Sequence, residues 1–322
     1  MSSDVAASVR ARLLNQAREG GEEFEFTLTR FAAERLLYRL GASGARERCI
    51  LKGASLLSVW LPDPYRATRD VDVLASGPTD DDAIRSLVSE ICAVPCAEDG
   101  LRFDLSGMTV EAIRPEEEYA GKRARFRAFL GNARIVVQLD VGVGNALVGT
   151  IEEIDFPTML PALPAPRLRA YPREATVAEK FEAMVKLDTT NSRMKDFHDI
   201  WALANAFAFD GRTLQWAIAA CFERRATPWT SEAPRALTPA FYQMPEIETR
   251  WRRYLTAGAV LVPPPRQFEV IGERIIQFLG PVRESIVAGN PFDSSTTFRF
   301  GCQGLGAIPK MSVRSTGFMA AA

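Results

Sequence analysis

Apolar positions recur at threes and fours in two stretches near the start of the chain, 5–18 and 27–41. In the second, Phe31, Leu36, Leu37 and Leu40 form the stripe and Gly41 supplies a stop, so both are expected as helices. Cys49-Ile50-Leu51 is a short apolar run bounded by charge, as a buried strand would be. It leads into Lys52-Gly53-Ala54-Ser55 and a short helix at Leu56, Leu57, Val59 and Trp60, which Pro62 and Pro64 end. Arg69-Asp70-Val71-Asp72-Val73-Leu74 alternates charged and apolar residues with period two, the pattern of a half-buried strand. Residues 80–93 open with acidic caps and continue at helical spacing. Strands are expected near 109–114 and 122–130, and Arg134–Val141, rich in β-branched residues, gives the strongest strand signal.

The character then changes. Residues 157–172 hold five prolines and read as a connection. Beyond it, 174–209 read as two helices, 212–225 and 240–256 lean helical with an interruption at Pro245, and VPPPR at 262–266 is another break. Residues 267–288 predict a last helix, kinked or split at Gly280-Pro281. The expected organisation is N-terminal helices over 1–45, a mixed α/β core over 46–156, a helical domain over 173–288 and a disordered tail over 289–322.

Composition narrows this only a little. The 322 residues are 47% hydrophobic and 25% charged, with 39 basic and 40 acidic side chains, which excludes a uniform cationic coat but allows a local basic patch. Five scattered cysteines without a CxxC pair argue against a disulfide framework or a structural zinc site. No segment reads as a signal peptide or a membrane span, so a cytoplasmic protein is expected. There is no GxxxxGK[ST] loop and no Gly-X-Ser-X-Gly elbow.

Three constellations carry candidate chemistry. On a strand, Asp70 and Asp72 project to one face, where two carboxylates repel each other unless a cation lies between them. Hard cations such as Mg2+ favour that donor pair and bridge it to phosphates, while the small Gly53-Ala54-Ser55 turn admits phosphate oxygens close to the backbone. Asp140, at the end of its apolar strand, is either a solvated strand terminus or a third metal ligand. In the helical half stand Ala178-Glu179-Lys180 and Arg193-Met194-Lys195-Asp196-Phe197-His198-Asp199, with Asp196 and Asp199 on one helix face. These read either as a solvated, salt-bridged helix start or as groups handling a nucleotide. Two basic runs, Lys122–Arg127 and Arg250–Arg253, each mix cations with an aromatic, as a solvated face or an RNA contact would.

Together, the Leu51–Leu57 and Arg66–Asp72 segments, the Asp140 strand, Ala178–Lys180 and Arg193–Asp199 resemble the AbiEii/AbiGii nucleotidyltransferase family over roughly positions 25–210. The resemblance implies an α+β fold: a polymerase-β-like nucleotidyltransferase core with a mostly helical C-terminal domain. It also implies a toxin of a two-gene phage-defence system, neutralised by a separately encoded antitoxin. Some members of the wider group act on the acceptor end of tRNA. By this resemblance the catalytic residues are Asp70, Asp72, Lys180 and Asp199. Lys52, Gly53, Ser55, Lys195 and Asp196 surround the NTP, and Asp70, Asp72 and Asp140 hold Mg2+. The chain departs from the family where Gly53-Ala54 replaces a common Gly-Gly and His198 replaces a common tyrosine. The expected activity is Mg2+-dependent nucleotidyl transfer to RNA, with tRNA the expected acceptor. The alternatives are nucleotide binding without turnover, or transfer to a protein or small molecule.

Overall fold

In the computed structural model the described residues are 2–61, 66, 68–113, 121–143, 150–257, 260, 262–292 and 297–298. Helices α1 (Ser2–Gly20) and α2 (Phe24–Ala42) precede strand β1 (Cys49–Lys52). A single-turn helix at Gly53–Leu56 and the short α3 (Leu57–Trp60) lead to β2 (Asp70–Ala75) and α4 (Asp81–Cys92). Strands β3 (Leu101–Ala112), β4 (Lys122–Leu130), β5 (Ala133–Val143), β6 (Glu152–Asp155) and β7 (Arg167–Ala170) follow. Acidic capping acts as the sequence suggests at α4, where Asp80 Oδ1 accepts from the amides of Asp82 and Ala83.

These strands make one seven-stranded mixed sheet in the order β3-β4-β5-β2-β1-β7-β6. One face packs under α1, α2 and α4. Alternation decides which: Val71 and Val73, Ala124, Phe126 and Ala128, and Ile135, Val137, Leu139 and Val141 are all buried in this first core. The Pro-rich stretch expected as a connection contains a strand, because its prolines flank Arg167-Leu168-Arg169-Ala170 without interrupting it. Leu51 pairs in parallel with Ala170, and Tyr171 donates its amide to the Leu51 carbonyl at 2.9 Å.

The second half is helical and has its own core. It comprises α5 (Arg173–Leu187), α6 (Met194–Ala206), α7 (Gly211–Arg224), α8 (Pro239–Tyr242), α9 (Pro245–Thr256) and α10 (Phe268–Ala288). Leu57 and Leu61 reach into this core from the sheet side. Pro245 stands in the first turn of α9, where its missing N–H costs nothing, so it starts a helix instead of interrupting one. α10 is one continuous helix with Pro281 inside it. Its buried stripe of Ile271, Ile275, Phe278, Leu279 and Val282 runs straight past the proline, and burial of that stripe outweighs one lost backbone bond. Of the expected disordered tail, Thr297–Phe298 pairs antiparallel with Phe209–Asp210, and residues 293–296 and 299–322 lie outside the described residues. No helix among the described residues is long and apolar enough to cross a membrane. The architecture is the α+β class expected.

Candidate active site

Asp70 and Asp72 lie on the sheet face away from the first core, with Val71 and Val73 pointing into it. Register places Lys52 of β1, Asp72 of β2 and Asp140 of β5 in one row across three strands, with Gln138 opposite Asp70. Gly53 follows Lys52 with φ +73°, a left-handed conformation that side chains resist, and a Cβ there would stand 2.3 Å from Asp72 Oδ2. The Asp72 carboxylate therefore rests directly on the Gly53 backbone. Gly53→Ala is expected to cost about 1–2 kcal/mol in left-handed strain, and to reduce activity far more by displacing Asp72. Thermal unfolding measured beside activity separates the two effects.

Neither carboxylate of this pair accepts a hydrogen bond or ion pair from a described residue. Burial pushes the Asp72 carboxyl up to about 6, the Asp140 charge adds to it, and Lys52 opposes it. Asp70 is raised in the same way, first by burial and then by Asp140, against Arg123 and Lys195. Asp140, the expected third metal ligand, receives a two-pronged pair from Arg123, Nε at 2.8 Å and Nη2 at 2.7 Å, while its register keeps it beside Asp72. Among the described residues no group of three or more His, Cys, Asp or Glu side chains is gathered to hold a metal. Two half-buried carboxylates without a direct ion-pair partner among the described residues nevertheless fit a Mg2+-like ion, which commonly takes one or two protein carboxylates and completes its shell with water and phosphate oxygens.

The surrounding cations come from both the sheet and the helical half. Lys52 Nζ donates to Glu179 Oε2 at 3.1 Å. Burial would raise the Glu179 carboxyl, but Lys52, Arg225 and Arg224 together hold it down to about 2. Lys195, at the start of α6, is exposed, and its charge opposes the upward shift at both Asp70 and Asp72. Lys180, Asp196 and Asp199 form a buried cluster instead: Lys180 Nζ donates to Asp196 Oδ1 at 2.9 Å and to Asp199 Oδ2 at 2.7 Å. Arg66, from the loop before β2, donates Nε to Asp199 Oδ1 at 2.7 Å and Nη2 to Oδ2 at 2.8 Å. Burial alone would raise the Asp199 carboxyl, but these two cations hold it well below the usual carboxylate range. Ser55 is buried beneath the pair, its hydroxyl 3.4 Å from the Asp70 carbonyl it donates to.

The structure thus gathers Lys52, Gly53, Asp70, Asp72 and Asp140 at one end of the sheet, with Lys195 facing them. It sets Lys180, Asp196 and Asp199 in a clamp behind. Sequence reasoning gave no role to Glu179 or Arg66, although both stand inside quoted segments, and it read Arg123 only as part of a basic run. The aromatic-stacking reading of the two basic runs fails. Phe126 alternates into the sheet core and Trp251 is 0% exposed in the helical core, so neither can meet a base.

His198, the only histidine, lies inside the helical half with Nδ1 hydrogen-bonded to the Tyr254 hydroxyl at 2.8 Å. Burial lowers its pKa to about 4, with Asp199 opposing and Arg66 reinforcing the shift. The unfolded chain takes up this proton more readily, so stability is lost as pH falls from about 6.5 to about 4, by up to about 3 kcal/mol. Denaturant titrations at pH 7 and pH 4.5 are expected to differ by less in His198→Gln than in the parent.

Residues 35–274 match the family described as nucleotidyl transferase AbiEii toxin, type IV toxin–antitoxin system. The chain belongs to this family. It is therefore of a nucleotidyltransferase toxin family, whose systems pair each toxin with a cognate antitoxin. Among solved structures, the AbiEii-family chain is similar to MenT4, a nucleotidyltransferase toxin from Mycobacterium tuberculosis. The identity is 17% and the TM-score 0.49, covering 87% of this chain and 98% of that one. A candidate nucleotidyltransferase from Helicobacter pylori is similar at 12% identity and TM-score 0.48, over 80% of this chain and 94% of that one. At that distance neither likeness bears on the chemistry of the site. No curated protein matches.

Proposed function

We propose that the chain transfers a nucleotide from an NTP to an RNA acceptor, tRNA in the first instance, with Mg2+ held by Asp70 and Asp72. One observation carries the reading: two adjacent carboxylates on β2, half-buried, raised in pKa and without a cationic partner, stand where the strand meets the Gly53 turn. Such a pair costs stability, and nothing in the surrounding packing requires it.

Bound there, a divalent cation would supply charge stabilisation at the α-phosphate, where the acceptor oxygen would displace pyrophosphate. The chain's own residues do the rest. Gly53 keeps the Asp72 carboxylate seated and leaves room for a phosphate beside the backbone. Lys52, steadied by Glu179, and Lys195, at the exposed start of α6, present positive charge to the triphosphate from two sides. Ser55 ties its turn to the Asp70 backbone. Lys180, Asp196 and Asp199 are positioning residues in this reading. The ion pairs of Lys180 with Asp196 and Asp199, and of Arg66 with Asp199, tie α5 and α6 to each other and to the segment before β2, fixing Lys195 against Asp70 and Asp72.

The test is incubation of the protein with Mg2+, each labelled NTP in turn, and total bacterial RNA. Label entering a tRNA-sized band supports the reading and names the nucleotide. Label on protein alone, or NTP binding without any transfer, overturns the RNA acceptor.

A further inference from the structure

The face of β3, β4 and β5 opposite the first core has no helix over it among the described residues, and its side chains fall into rows running away from the carboxylate pair. Register places Arg125 of β4 beside Gln138, which is beside Asp70. One step further along, Arg127 stands beside Val136. At the next step Phe129 stands between Arg102 of β3 and Arg134 of β5. Successive rows are about 6.8 Å apart, so the track extends about 14 Å from Asp70 to Arg134.

Two features single this face out from an ordinary solvated strand surface. Val136 is 62% exposed in the middle of the strongest strand in the chain, flanked by arginines rather than covered. Arg127 and Arg134 have no ion-pair partner among the described residues, and Arg102 lies with its guanidinium 4.6 Å over the Phe129 ring. The acids on the face are mostly engaged: Asp140 with Arg123, Glu111 with Arg125, and Asp104 with the amide and hydroxyl of Ser106.

We infer that this arginine track holds the phosphodiester backbone of an RNA strand and leads its reacting end to Asp70 and Asp72; the inference rests on the nucleotidyl-transfer reading. Guanidinium forks repeated at every second residue suit successive phosphates, each able to take a two-pronged contact. The Arg102 guanidinium plane, backed by Phe129, offers a stacking surface for an unpaired base at the distal end. Charge complementarity excludes an apolar partner, and the row that ends at Asp70 places the track's near end at the carboxylates.

The test uses the full chain and its Arg127→Ala/Arg134→Ala variant, with fluorescently labelled bulk bacterial tRNA followed by anisotropy at several salt concentrations. Both residues lie outside the site, so NTP binding and the unfolding midpoint should match the parent. The expected result is at least about tenfold weaker tRNA binding, with the slope of log Kd against log salt reduced by roughly 1–2. Unchanged affinity and slope overturn the track, as does arginine-dependent binding of polyglutamate with none of tRNA, which points to an acidic protein partner. Label transfer separates the two claims. Transfer to RNA with an unchanged KM for RNA in the variant sinks the track and leaves the activity standing. Arginine-dependent tRNA binding without transfer sinks the activity and leaves the track.

Discussion

Asp72→Asn is expected to abolish nucleotidyl transfer, by at least about a thousandfold in kcat, while leaving the protein as stable as the parent or more so. The two halves of this prediction have one cause. Burial and the Asp140 charge raise the Asp72 carboxyl to about 6 in the folded chain, above its ordinary value near 3.8. A carboxyl raised on folding favours the fold below its unfolded pKa, and that advantage is lost as pH rises through the folded pKa. At pH 7.5 the ionised Asp72 therefore works against the fold. The neutral amide removes that penalty, a gain of order 1 kcal/mol once partial exposure is allowed for. At pH 3.5, where Asp72 is protonated in the folded chain and mostly protonated in the unfolded one, the stability gain should largely vanish. A variant that loses both activity and several degrees of melting temperature would show that the carboxylate is a structural partner and not a poised ligand.

Asp199→Ala is expected to do the opposite: a large loss of stability, about 3–5 kcal/mol, with activity falling because the helical half loosens. Asp199 is fully buried, and its removal strands Arg66 without its carboxylate and leaves Lys180 with Asp196 alone. The pairwise nature of the effect has its own check. Arg66→Met combined with Asp199→Leu removes one cation and one anion together and leaves Lys180 on Asp196. The double variant should recover most of the loss seen in Asp199→Ala. Denaturant unfolding of the variants measures this directly. A single-variant cost below about 1 kcal/mol would mean that the cluster is not a clamp.

How much of this was legible in the residues differs from element to element, for physical reasons. The alternation in β2 shows Asp70 and Asp72 on one face because side chains on a strand repeat every second residue, whatever the strand packs against. Helices α4 to α7 announce themselves through apolar stripes, and α4 also through its acidic cap, in the same local way. Strand β7 does not, because its four residues in a Pro-rich stretch leave too short a period, and only pairing with β1 makes them a strand. The clamp was legible in part. Lys180, Asp196 and Asp199 stand in segments that draw attention, but their partner Arg66 lies 133 residues from Asp199, and no local pattern joins them. Asp140 presents the same difficulty. As a lone acid at the end of an apolar strand it fits a ligand or a solvated end, and only the cross-strand register puts Arg123 on it. The basic runs misled because sequence mixes two faces that a strand or helix then separates: Arg123, Arg125 and Arg127 one way, Ala124 and Phe126 the other.

In the proposed reaction, transfer runs through a cation held by Asp70 and Asp72. Its most direct measurement is pyrophosphate released from the preferred NTP in the presence of RNA, for the parent and Asp72→Asn, with Mg2+ or with EDTA. Pyrophosphate is expected in step with the label gained by RNA in the parent with Mg2+, and neither product with EDTA or in the variant. Label transfer that survives EDTA, or that persists in Asp72→Asn, would contradict it.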